Sequence, residues 1–110
     1  MAEALGILGQ IAPADTNLTD LYSVPSGTMA TISSITVCNR STSLTNFRIS
    51  VAKANELDAT KQYIFYDQEL DANSTFTVTI GITLGPTDKI RVRTATANVL
   101  TFNIFGIEVS

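Results

Sequence analysis

The chain has 110 residues, of which 45% are hydrophobic and 15% are charged, and its formal net charge is −3. This length suits one domain, and the high apolar fraction with few charges excludes an intrinsically disordered chain. The 7 basic residues, against 10 acidic ones, do not form the positive footprint that nucleic-acid backbones require. We therefore expect one folded domain over residues 1–110 that binds no nucleic acid.

The order of turn-forming and apolar residues predicts an all-β protein. Turn formers such as Pro, Gly, Asn and Asp recur about every ten residues, and the segments between them are rich in Thr, Val and Ile, which favour strands. About eight strands are predicted, covering residues 5–11, 19–24, 28–40, 44–53, 61–68, 74–82, 88–96 and 99–109. A single antiparallel β-sandwich, of which the jelly roll is one form, packs such strands economically. Residues 54–60 have room for one helical turn.

The last predicted strand is apolar on both of its faces. One face carries Leu100, Phe102 and Ile104, and the other carries Phe105, Ile107 and Val109. A strand of this kind is expected to be covered on two sides, and the alternative is an uncovered, adhesive surface. We assign Phe102 to the side that faces the core.

Catalytic equipment is sparse. His is absent, and with it the usual general base and the commonest metal ligand. Cys38 is expected to be a small buried hydrophobe. Asp67, Glu69 and Asp71 would share one strand face, but they lack the glycine of a calcium loop, so a solvated strand end is favoured over a cation site. The sequence predicts no enzyme, no cofactor and no metal site.

Two groups of residues are candidates for contacts with another protein. The first is the apolar segment 4–11, which predicts docking by strand addition to a neighbour and would make residues 1–12 an extended arm; folding back onto the protein's own sheet is the alternative. Its candidate interface residues are Leu5, Ile7, Leu8 and Ile11. The second is a basic row along one strand face, formed by Lys89, Arg91 and Arg93. An outward face that deters edge-to-edge aggregation is favoured for this row over a contact with an acidic neighbour.

Several short motifs are spread along nearly the whole chain. They are Leu8-Gly9-Gln10 with Pro13, Leu18-Thr19-Asp20-Leu21-Tyr22-Ser23-Val24-Pro25 with Gly27-Thr28, Val37-Cys38-Asn39-Arg40, Phe47-Arg48-Ile49, Lys61-Gln62-Tyr63 with Tyr66-Asp67, Gly81-Ile82-Thr83-Leu84 with Asp88, and Phe102-Asn103-Ile104-Phe105-Gly106. In this series the chain resembles small virion proteins of tailed bacteriophages, including those of cyanophage type. The shared motifs are structural rather than catalytic.

The resemblance implies a capsid decoration (cement) protein that lies on the capsid surface of the virion. Its expected partner is the phage major capsid protein or another virion protein, and it is expected to form homo-oligomers. The alternative role is a small neck, tail or tail-fibre component, which would bind a host surface or a carbohydrate. Against carbohydrate binding, Trp is absent, and strand alternation places Tyr63 and Tyr66 on opposite faces.

Neither a membrane span nor a signal peptide is evident in the sequence. No apolar run approaches the roughly 20 residues that a membrane-spanning helix needs. The N-terminal residues lack the basic region of a secretory signal. We therefore expect synthesis in the cytoplasm of the bacterial host and no membrane partner.

Overall fold

The computed structural model describes residues 2–110, which form eight β-strands in two antiparallel sheets. In chain order the strands are β1 (Glu3–Ile11), β2 (Thr19–Ser23), β3 (Met29–Asn39), β4 (Thr45–Ala52), β5 (Tyr63–Leu70), β6 (Thr75–Leu84), β7 (Lys89–Thr94) and β8 (Leu100–Val109). Sheet A has the strand order β1-β8-β3-β6, and sheet B has the order β2-β7-β4-β5. Every predicted strand is confirmed, with small shifts at the ends.

The strands pair as a single long hairpin that has been rolled up. β1 pairs with β8, β2 with β7, β3 with β6 and β4 with β5, always antiparallel. The pairs β3–β8 and β4–β7 then join these hairpin layers into the two sheets. This nesting is the topology of a jelly roll. The predicted β-sandwich is thus confirmed in its jelly-roll form.

Inward-facing side chains of both sheets meet in one core. Phe47 of sheet B is fully buried, and its ring centroid lies 5.4 Å from that of Phe76 and 5.8 Å from that of Phe102, both in sheet A. Phe102 is itself fully buried, as predicted. Most of the remaining deeply buried side chains are aliphatic: Ile32, Ile35, Val37, Ile49, Ile90, Val92, Leu100 and Ile104.

Cys38 lies on the outer face of sheet A. Its neighbours in β3, Val37 and Asn39, are 0% and 1% exposed, whereas Cys38 is only partly buried and pairs with Thr101 of β8. The expectation that Cys38 is buried is therefore wrong. Strand alternation gives the inward positions to its two neighbours.

Asn39 occupies its inward position because its polar atoms are satisfied there. Its amide nitrogen reaches three backbone carbonyl oxygens, at 2.9, 3.2 and 3.1 Å, which belong to Ser43, Leu70 and Asp71. Its amide oxygen accepts hydrogen bonds from the backbone N–H and the hydroxyl of Ser41. A buried amide with these partners avoids the cost of unpaired polar groups, and it fastens the end of β3 to the β5–β6 turn.

The connection between β4 and β5 contains two short 3₁₀ turns, Lys53–Asn55 and Thr60–Gln62. They lie at the two ends of the segment 54–60, for which the sequence predicts one helical turn. The first turn is held by Asp88, whose carboxylate accepts a hydrogen bond of 2.8 Å from the backbone N–H of Ala54.

Candidate interaction surface

The two sheets differ in charge. The strands of sheet A contain two charged residues, Glu3 and Glu108, and both are acidic. Glu108 points towards the other sheet, where its carboxylate accepts a hydrogen bond from the Tyr22 hydroxyl, so Glu3 is the one charge on the outer face of these strands. The strands of sheet B carry seven charged residues of both signs: Asp20, Arg48, Asp67, Glu69, Lys89, Arg91 and Arg93. Charged residues usually make up about 25–35% of a soluble surface, so sheet A is depleted.

An apolar patch lies on the outer face of sheet A. The strand register places Leu5 opposite Ile107, and Ile7 opposite Phe105. Leu5 and Ile7 are 83% and 58% exposed, while their two partners are partly buried. The apolar patch consists of Leu5, Ile7, Met29, Phe105, Ile107 and Val109. In this chain β8 is therefore covered on its inner side only, and its outer side is open to a partner.

Hydroxyl and amide groups line the rest of this face. β6 presents four exposed threonines, Thr75, Thr77, Thr79 and Thr83. Close to the other edge, the side-chain amide of Gln10 donates a hydrogen bond of 2.7 Å to that of Asn103. Uncharged groups of this kind can be covered by another protein at a much lower desolvation cost than charged ones. The composition of the face suits a protein contact.

The structure separates the four N-terminal candidate residues into two pairs. β1 is paired with β8 of the same chain and forms an edge of sheet A. Leu5 and Ile7 project from the outer face, whereas Leu8 and Ile11 pack against the core. Met1 of the predicted arm lies outside the described residues. A docking role for residues 1–12 stays a prediction, and exposure restricts it to Leu5 and Ile7.

The basic row lies on the opposite side of the sandwich. Lys89 Nζ is 2.8 Å from Asp20 Oδ2, Arg91 Nε is 3.1 Å from Asp20 Oδ1, and Arg93 is 3.8 Å from an Asp67 oxygen. β7 is paired on both sides, by β2 and β4, so this row does not guard a sheet edge. Asp20 and Asp67 compensate only part of its positive charge, because Lys89 and Arg91 share one carboxylate. The two candidate groups lie on opposite sides of the sandwich and do not form one surface. Contact with an acidic neighbour stays a prediction.

The ion pairs of sheet B lower the pKa of two aspartates. Hydrogen bonding to Lys89 is the main cause at Asp20, and hydrogen bonding to Arg48 is the main cause at Asp67. Arg48 binds Asp67 with two nitrogens, at 2.7 and 3.3 Å, and this contact in turn raises the pKa of Arg48. Because both aspartates are about half exposed, solvent screens these interactions.

Tyr63 and Tyr66 lie on the same side of the molecule. Their rings meet edge to face with centroids 5.2 Å apart. The expectation of opposite faces is wrong because the β4–β5 register shifts, with one residue of β5, Ile64, left over between consecutive pairs. The guanidinium carbon of Arg48 stands 3.9 Å from the centre of the Tyr66 ring. One face of the Tyr66 ring is therefore occupied by Arg48.

The acidic row of β5 forms no common site. Asp67 has a left-handed φ of 52°, which interrupts the alternation on which the row depends, and its carboxylate binds Arg48. Among residues 2–110, no three His, Cys, Asp or Glu side chains are grouped so that they could hold a metal ion. The described part of the chain also contains no helix long and apolar enough to span a membrane.

The charge difference between the sheets was missed by reasoning from the sequence. Its signal is present, because β3 and β6 contain no charged residue and β1 and β8 contain one each. Strands that are poor in charge form one nearly uncharged face only when they are adjacent in the same sheet, however. Their adjacency depends on pairings between distant parts of the chain, such as β1 with β8.

No protein-family model matches the chain, and no curated protein matches its sequence. Among solved structures, the chain is similar to one in the acidic stable capsid structure of Helicobacter pylori bacteriophage KHP30, with a TM-score of 0.53 and 13% identity over 100% of this chain and 94% of that one. A weaker likeness, with a TM-score of 0.46 and 11% identity, relates 97% of this chain to 28% of a chain of infectious bursal disease virus Gx strain. The KHP30 likeness is one of fold, and it extends over nearly the whole of both chains.

Proposed function

We propose that this protein is a structural component of a virus particle, specifically a decoration (cement) protein that binds the assembled capsid of a tailed bacteriophage. The fold supports this setting, because the whole chain aligns with a chain of the KHP30 capsid structure. The motifs that resemble small phage virion proteins support it as well. The observation that carries the docking role is the nearly uncharged outer face of sheet A, with its apolar patch at one end.

Decoration of this kind works by thermodynamic linkage. A protein that binds the assembled shell, and not its separated subunits, stabilises the shell by an amount that grows with the logarithm of its free concentration. Many copies with modest affinity are sufficient, because an oligomer that binds at several points gains avidity without a large single interface. The proposed partner is the major capsid protein or another virion protein.

Catalysis has no part in the proposal. The chain has no His, and the large upward pKa shift at Tyr22 is caused first by burial and then by its bond to Glu108. A strongly shifted pKa can mark a catalytic group, but structural contacts shift pKa values as well. The Tyr22–Glu108 bond joins the two sheets, so the shift at Tyr22 is explained by its structural role.

The proposal is tested with particles that lack the protein. Such particles should assemble but release their contents at a lower temperature than complete ones. Added purified protein should raise this release temperature again, by an amount that grows with the logarithm of the protein concentration. A density map of complete particles should show many copies on the shell. If particles without the protein do not form, or if a few copies sit at one vertex or on the tail, the neck or tail alternative replaces decoration.

A matched pair of variants tests which face docks. Thr79→Lys adds one positive charge to the exposed outer face of sheet A, and Asn46→Lys adds the same charge to the outer side of sheet B. We expect Thr79→Lys to weaken binding to particles by about tenfold or more, because a lysine there must be desolvated. Asn46→Lys should bind as the natural protein does. The reverse order would assign docking to sheet B.

A further inference from the structure

One edge of sheet A has free backbone groups. Ala2 and Ser110 exchange two backbone hydrogen bonds, of 2.6 and 2.8 Å. Hydrogen-bonded and non-hydrogen-bonded pairs alternate along an antiparallel ladder. By the register of β1 and β8, the backbone N–H and C=O groups of Glu3, Leu5 and Ile7 therefore point away from β8, towards solvent.

The free edge ends where β2 approaches β1. A Cβ atom added to Gly9 would lie 2.7 Å from the carbonyl oxygen of Leu21, which shows how closely the two strands approach there. A register shift between Ile7 and Gly9 marks the same boundary. The segment Glu3–Ile7 is thus paired with β8 on one side and has no strand partner on the other. We call this segment the free edge.

The free edge is complementary to the free edge of a second copy of this chain, in its backbone groups, its apolar side chains and the placing of its charge. Leu5 and Ile7 combine unpaired backbone groups with side chains that are 83% and 58% exposed. In antiparallel self-pairing centred on Leu5, the two Leu5 side chains lie opposite each other, and each Glu3 faces Ile7 of the other copy. The two Glu3 carboxylates are then about 14 Å apart along the strand, at ~3.4 Å per residue, so like charges do not meet.

We propose that two copies of this protein associate through their free edges, antiparallel about a two-fold axis at Leu5, and so join their A sheets into one continuous eight-stranded sheet. The alternative partner for the free edge is β6, at the other edge of sheet A. Pairing β1 with β6 would place Leu5 and Ile7 against a threonine-rich strand. It would also build an open chain, because each added copy presents a further β1 or β6 edge for the same contact. The two-fold arrangement uses the β1 edges of both copies in one contact and closes.

Cysteine cross-linking tests the register. Leu5→Cys, in a Cys38→Ser background, places two thiols across the proposed axis, where the Cα atoms of a hydrogen-bonded antiparallel pair are about 5.5 Å apart, within the usual range for a disulfide. The matched control is Leu57→Cys in the same background, because Leu57 is 90% exposed and lies outside sheet A. We expect mild oxidation to cross-link the Leu5 variant at least tenfold faster. Equal rates would overturn the proposal.

Sedimentation tests the association itself. The interface is small by the standard of stable complexes, which bury about 1,200 Å² or more, so the natural protein should convert from monomer to dimer as its concentration rises.

Leu5→Pro removes a free-edge N–H that the β1–β8 ladder does not use, and proline is tolerated at such edges. It should remain monomeric with an unchanged melting temperature. A natural protein that stays monomeric at millimolar concentration, or that forms a ladder of larger oligomers, contradicts the two-fold dimer. These measurements need no virus particle, so their failure would leave the proposed capsid role standing.

Discussion

Tyr22 and Glu108 are hydrogen-bonded across the sandwich, with the phenol donating to the carboxylate. They are 86 positions apart in the sequence, and they connect β2 of sheet B with β8 of sheet A. Burial, reinforced by the hydrogen bond to Glu108, raises the pKa of Tyr22, which keeps its hydroxyl protonated as a donor. The bond is one of the few polar links between the sheets.

Removing the Tyr22 hydroxyl should therefore destabilise the fold. We expect Tyr22→Phe to lower the free energy of unfolding by about 1.5–3 kcal/mol, the range for a hydrogen bond to a charged group. Tyr66→Phe is the control, because Tyr66 is 57% exposed, and it should change stability by less than about 0.5 kcal/mol. Urea denaturation measures both. Equal effects would show that the Tyr22–Glu108 bond contributes nothing.

Asn39 should be among the least replaceable polar residues of the protein. Asn39→Ala leaves the carbonyl oxygens of Leu70 and Asp71 without the amide donor that they share, and we expect a loss of about 3–5 kcal/mol. Asn17→Ala, at an exposed loop position, should have little effect. Thermal denaturation of the two variants checks the difference, and a stable Asn39→Ala protein would mean that water replaces the amide.

Two phenylalanines of β8 test the assignment of its faces. Phe102 is fully buried, whereas Phe105 lies on the outer face. We expect Phe102→Ala to cost about 3–5 kcal/mol through lost burial and a cavity, and Phe105→Ala to cost about 1 kcal/mol in the monomer. Denaturation midpoints measured at low protein concentration separate the two. A larger effect at Phe105 would mean that the faces are exchanged.

Acid should weaken the protein through the ion pairs of sheet B. The pKa of Asp20 is lowered from its usual value of 3.8 in the folded state, so the stabilisation is complete above that value and is lost as the pH falls through the folded pKa. Unfolding free energies measured from about pH 5 down to about pH 2 should therefore decrease. Asp20→Asn should flatten this dependence, and an unchanged slope in that variant would contradict the role of the pair with Lys89.

The sequence by itself determined the strands and the inward positions of the apolar core. Turn residues separate segments whose β-branched and aromatic side chains alternate with a period of two, and this local pattern was sufficient to assign Phe102 to the core. Residue type is a poorer guide to burial than position in the strand. It predicts a buried Cys38, but the inward position belongs to the polar neighbour Asn39, whose amide is satisfied there by the carbonyl oxygens of Ser43 and Asp71.

Only the tertiary structure decided which strands are neighbours, and the candidate surface depends on that. The pairing of β1 with β8 joins the two ends of the chain, and it brings Leu5 beside Ile107. The pairing of β2 with β7 likewise brings Asp20 to Lys89 and Arg91, which compensates part of the positive charge of this row. Side-chain alternation is a local property, whereas strand partners are selected by the packing of the whole core. The difference in charge between the two sheets therefore arises only when the strands have paired into the jelly roll.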